Sequence, residues 1–155
     1  MSTEEAKQEI ERLKWRLDFT QRRFARLIEI LESTLDEETL RDVIEGLGRY
    51  CSGTIGFIQE HKGDVEGHFE EIRQRWGEEA EFDRERGVIT VVTPERECVC
   101  PLVDSQSTPA SICNCSLGWQ KQTYETILGR PVEVELKESA LRGSKRCVFE
   151  IRVAE

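Results

Sequence analysis

The spacing of apolar residues changes once along this chain, and that change limits the fold more than any other feature. As far as Trp76 they recur at three- and four-residue steps, the period of a helix buried on one face. From Ala80 they alternate or run in β-branched blocks, as strands do, with one helical stretch between.

Residues 4–33 read as one long amphipathic helix, with Ile10, Leu13, Leu17, Phe24, Leu27, Ile28 and Leu31 on its apolar stripe. Its stripe packs either on its own core or on a second copy, so a homodimer is one expectation. Asp36 caps a second helix with Glu37 and Glu38 in its first turn. Gly46 and Gly48 are expected to loosen it before a third helical piece near Tyr50–Glu60. Val65–Trp76 is a further helix closed by Gly77.

Ala80–Phe82 and Gly87–Thr93 predict a hairpin. Residues 95–115 read as irregular, and Ser116–Leu128 as a helix ended by Gly129. Val132–Leu136 and Cys147–Val153 predict a second hairpin. The class is α+β: N-terminal helices packed on an antiparallel sheet made of two hairpins separated by a helix. Residues 1–35 form the helical extension and 36–155 one α+β ligand-binding domain with a cysteine cluster.

Charge excludes one class of partner. The net charge is −9, and the first 80 residues hold 19 acidic against 12 basic side chains. Such a surface repels phosphate backbones, so no nucleic acid is expected. The first residues lack the apolar run of a signal peptide, and no stretch reaches the ~18 apolar residues of a membrane span. A cytoplasmic protein with no membrane partner is the expectation. There six cysteines read as metal or redox chemistry rather than structural disulfides.

Five of the six lie between 98 and 147. Cys98 and Cys100 form one C-x-C pair, Cys113 and Cys115 another, and Cys147 opens the last strand. Together they are the expected metal ligands, with zinc as the first cofactor and an Fe–S cluster as the second. Two other readings stay open: a reactive or redox-active thiol pair, and buried cysteines used as small hydrophobes. Cys51, set in a helical apolar pattern, belongs to that last class. Asp104, Trp119 and Tyr124 are candidate ligand-binding residues beside the cysteines. His61 and His68 flank a helix break and are weaker candidates. No phosphate-binding glycine loop and no serine-nucleophile elbow is present.

The C-terminal third carries a resemblance. C-x-C-x₂-G-W at 113–119, I-L-G-R-P-V-E-V at 127–134 and E-S-A-L-R-G-S-K-R-C-V-F-E-I at 138–151 resemble the 4-vinyl-reductase-type small-molecule-binding domain. Gly143, Cys147 and Phe149 are also similar to an element of the amino-thiazoline-carboxylate hydrolase family, and the paired C-x-C pattern to bacterial and archaeal proteins of these groups. The resemblance implies helices on an antiparallel sheet, an enclosed pocket for a small organic ligand, and often a dimer. It also implies a zinc held by cysteines, with Cys147 matching the last and Cys113 or Cys115 the first. Ser139 stands where a middle cysteine is expected, and Cys98 and Cys100 offer replacement sulfurs. The implied function is a metal-binding, sensor-like small-molecule domain. The alternatives are a small hydrolase or thiol-redox enzyme, and a helical interaction module with structural cysteines.

Overall fold

The computed structural model describes residues 1–154. Five helices and four strands follow in the order α1 (Thr3–Thr34), α2 (Glu37–Gly53), α3 (Gly56–Glu60), α4 (Val65–Trp76), β1 (Glu79–Asp83), β2 (Val88–Val92), α5 (Cys113–Leu128), β3 (Val132–Glu138) and β4 (Val148–Val153). Short 3₁₀ turns at Ala110–Ile112 and Ala140–Arg142 lead into α5 and away from β3.

Local chemistry sets the helix ends. The Ser2 hydroxyl accepts from the Glu5 N–H and the Glu5 carboxylate accepts from the Ser2 N–H, a reciprocal cap. Asp36 and Asp64 cap α2 and α4 by accepting from the Thr39 and Gly67 amides. Gly77 stops α4 at φ 66°, a left-handed conformation that suits a residue without Cβ.

All strand pairs are antiparallel, in the order β1-β2-β4-β3. β4 therefore joins the two hairpins, with Ile89 opposite Ile151 and Val91 opposite Phe149. These four face inward with Phe69, Tyr124 and Ile127, none more than 4% exposed. Burying each such side chain is worth about 1.5–3 kcal/mol. A second apolar cluster of Ile28, Leu40, Ile44, Val103 and Ile112 lies under α1 and α2, with Cys98, Cys100 and Cys115 packed against it.

Two expectations change. α2 does not break at Gly46 and Gly48 but runs on to Gly53, leaving Gly56–Glu60 as the separate piece. A helix tolerates two glycines when tertiary contact offsets their cost. The contact here is close: a Cβ on Gly48 would lie 1.8 Å from the Cys115 carbonyl oxygen, and one on Gly118 1.9 Å from that of Glu45. α2 and α5 thus meet backbone to backbone. Ion pairs Lys121–Glu45 (2.6 Å) and Arg49–Glu125 (2.6 Å) flank the crossing. Residues 95–115 are also not irregular throughout, because α5 begins at Cys113 and not Ser116.

Buried polar groups mark a testable point at the same crossing. The Ser52 and Thr123 hydroxyls hydrogen-bond to each other at 2.8 Å, both in the interior. Ser52→Ala leaves Thr123 without that partner, and chemical denaturation should show a loss of about 1–2 kcal/mol.

Candidate functional site

Three segments distant in sequence bring cysteines to one place. Beyond β2 the segment Thr93–Arg96 runs beside residues 145–147: the Thr93 amide donates to the Cys147 carbonyl (3.0 Å), the Cys147 amide to the Thr93 hydroxyl (2.9 Å), and the Arg96 amide to the Lys145 carbonyl (3.1 Å). This pairing leads the chain from Cys147 to Cys98. The loop then turns at Cys100, whose carbonyl accepts from the Val103 amide (3.0 Å). Gln21 of α1 holds the loop by donating to the Pro101 carbonyl (3.0 Å). Cys113 and Cys115 come from the first turn of α5, which Gly48 and Gly118 press against α2.

Cys98, Cys100, Cys113, Cys115 and Cys147 line one small cavity with Ser116, Ser139 and the apolar Val103, Ile112, Leu136 and Leu141. No Lys, Arg, His, Asp or Glu lines it. All six cysteines are free thiols, and Cys113 is buried. The Cys113 thiol and the Ser139 hydroxyl lie 3.3 Å apart, and the Ala140 amide donates to Cys147 Sγ at 3.5 Å. Ser139 thus occupies the wall of the cavity and bonds to one of its sulfurs.

Burial sets the proton affinity of these thiols. Desolvation, with like-charge repulsion from Cys51, Cys100, Cys98 and Cys113, pushes Cys115 up to about 12. Cys98 and Cys147 are also raised, mainly by burial, against a lowering hydrogen bond from the Cys100 backbone to Cys98 and from the Ala140 backbone to Cys147. At neutral pH these three are thiols rather than thiolates. Reactive cysteines sit in electropositive surroundings, and no cationic side chain lines this cavity.

The cavity volume is about 50 Å³. That is room for an ion or a water, well below the roughly 300 Å³ at which organic-ligand sites begin. As they stand, no group of three or more His, Cys, Asp or Glu side chains among the described residues could hold a metal ion.

The other sequence candidates lie elsewhere. Tyr124 is 1% exposed in the main core, its ring edge-on to His68 and Phe69. Its hydroxyl finds no hydrogen-bond partner among the described residues. Trp119 packs against Trp76 at 6.0 Å between ring centres. Asp104 organises its own loop, accepting from the Gln106 amide (3.2 Å) and the Ser107 hydroxyl (2.6 Å), which hold its carboxyl below the usual range. His68 is buried and His61 half-buried, away from the cysteines that line the cavity. Sequence reasoning set Cys51 apart from the others, yet it lies near enough to Cys115 to raise its proton affinity. The signal was its place three residues after Gly48, on the helix that meets α5.

No family model matches the sequence, and no curated protein matches it. Solved structures do resemble it. A trafficking protein particle complex subunit 3 from Naegleria fowleri, covalently bound to palmitic acid, superposes with a TM-score of 0.54 at 17% identity, over 92% of this chain and 97% of that one. The two share a fold. A vinyl-4-reductase family protein from Methanocaldococcus jannaschii gives a TM-score of 0.42 at 14% identity, over 89% of this chain and 94% of that one. Among the described residues, no helix is long and apolar enough to cross a membrane.

Proposed function

We propose that the cysteine-lined cavity is a site for one soft metal ion, with zinc as the expected ion and Cys98, Cys100, Cys113, Cys115 and Cys147 as its donors. The observation that carries this reading is that five cysteines from three separate segments line one space of about 50 Å³ that has no charged side chain in its wall. Thiolate is the donor that zinc and other thiophilic ions select. Raised thiol proton affinities fit a site completed by a cation, because a bound ion displaces the protons and cancels the repulsion among sulfurs. Binding would draw the donors closer than they now stand. The ion would tie the 95–109 loop to α5 and β4, a structural part.

The reading disfavours two others. A cysteine nucleophile or dithiol couple needs a lowered thiol, and Cys98, Cys115 and Cys147 are raised. Covalent palmitic acid, as on the trafficking subunit, would need many times the space this cavity offers.

Anaerobically purified protein should contain about one zinc per chain with its cavity cysteines protected from thiol reagents. Cobalt in its place should give thiolate-to-metal charge-transfer absorption. The double change Cys113→Ser, Cys147→Ser should weaken zinc binding at least about tenfold in a chelator competition, and acidification should weaken it in the parent. Folded, metal-free protein with freely reactive thiols and no response to added zinc would defeat the reading.

A further inference from the structure

α1 carries an apolar seam at positions 10, 13, 17, 24 and 31, the spacing by which two helices pack side by side. Its C-terminal part is covered at home, apart from Leu27, which is 49% exposed. Ala25 and Ile28 are buried there, and Phe24 and Leu31 pack against the second apolar cluster. The seam continues toward the N-terminus through Ile10, Leu13 and Leu17, which are 51%, 50% and 47% exposed. Trp15 and Phe19 stack on each other (5.1 Å) on the opposite flank.

Charge indicates what covers the exposed part. Residues 4–11 hold four glutamates and one lysine. Residues 12–26 hold six lysines and arginines and one aspartate. Some of these charges pair within the helix, as Arg12 with Glu9 (2.7 Å), Lys14 with Glu11 (2.9 Å) and Arg22 with Asp18 (2.9 Å). Arg16 and Arg23 have no carboxylate partner among the described residues. A parallel second copy would set glutamates on glutamates and arginines on arginines. An antiparallel copy sets each acidic segment on a basic one. Glu9 and Arg16 lie on the same flank of the seam, one heptad apart, so reversal brings Glu9 of one copy toward Arg16 of the other.

We infer that the N-terminal half of α1 is a dimerisation surface on which a second copy of this chain lays its own α1 antiparallel, joined through Ile10, Leu13 and Leu17. The surface is separate from the cysteine cavity, so the dimer does not depend on metal.

Sedimentation equilibrium on the full chain tests this. The parent should be a dimer in the micromolar range, weakened by salt because the flanking charges are exposed. Leu13→Glu with Leu17→Glu should raise the dissociation constant at least about a hundredfold while far-UV circular dichroism shows a folded chain. Reversing one charge block tests orientation. Glu4, Glu5, Glu9 and Glu11 changed to Lys should weaken self-association roughly tenfold or more, as should Arg16, Arg22 and Arg23 changed to Glu, and mixing the two variants should restore it. A parallel dimer would not weaken, since each block would still face its own kind. A parent that stays monomeric throughout the micromolar range, or single-block variants that associate as well as the parent, would overturn the proposal.

Discussion

Gly48→Ala should destabilise the protein by about 3 kcal/mol, at the upper end of what overpacking costs. Gly46→Ala, two residues earlier on the same helix, should stabilise it by up to about 1 kcal/mol. The difference is what each new methyl group meets. At Gly46 nothing lies within 4 Å of a Cβ. At Gly48 the Cβ would meet the Cys115 carbonyl oxygen at 1.8 Å and the Trp119 amide nitrogen at 2.7 Å. Those atoms belong to the backbone of α5 and cannot rotate aside, so the helices must separate. The main cost is lost packing across the largest helix pair. In a domain of this size 3 kcal/mol lowers the melting temperature by roughly 6–12 °C. Calorimetry on the two variants checks both signs. A Gly48→Ala protein as stable as the parent would mean that α2 and α5 do not meet as closely as described. The same substitution should disturb the cysteine cavity, because the residue struck, Cys115, lines it.

Stability should fall by about 3 kcal/mol as pH drops from about 6.5 to about 4, and His68→Phe should remove most of that fall. His68 is 2% exposed among Phe57, Phe69 and Tyr124, and its Nδ1 has no hydrogen-bond partner among the described residues. Burial is the main cause that lowers its pKa to about 4, helped by repulsion from His61 and opposed by Glu71. The unfolded chain takes up this proton near the ordinary histidine value of about 6.5, and the folded chain only near 4. Between those values the unfolded state holds more protons, so acid favours unfolding. Below both, the penalty is complete. Glu78 acts in the opposite sense: burial raises its pKa, against Arg96, so it takes up its proton earlier when folded. Urea melts of parent and His68→Phe at pH 7.5, 5.5 and 4.5 separate the contributions. Equal pH slopes in the two proteins would refute the assignment to His68.

The elements were legible in the sequence because their signals are local. The cap Asp36, the αL glycines Gly77 and Gly129, and the β-branched run Val88–Val92 each announce a boundary or a strand with no help from the rest of the chain. What could not be read was proximity. Gly46 and Gly48 look alike in sequence, and only the position of α5 distinguishes an open glycine from an obligatory one. The same crossing brings Cys51 near Cys115, which spacing alone did not suggest. Tyr124 and Trp119 follow the second cysteine pair closely, but helical rotation turns them to the core and to Trp76. Composition and spacing mark Cys98, Cys100, Cys113, Cys115 and Cys147 as candidate metal ligands. That they line one space depends on the ladder from Thr93 to Arg96, which carries no sequence mark of its own.

The strand order has a consequence for synthesis on the ribosome. β4 follows β1, β2 and β3 along the chain, yet it lies between β2 and β3 and touches both. Until it emerges, β2 and β3 are unpaired edges with apolar inner faces, open to other nascent chains. Cys147, immediately before β4, arrives with it, so the cavity's last thiol and the sheet's last strand are delivered in the same step. α5 covers its side of α2 before β3 and β4 are made, so the sheet edges are what remain open until the last strand. Chaperone dependence, if found, should therefore be relieved abruptly when residues 147–153 clear the exit tunnel, and not gradually as the chain lengthens.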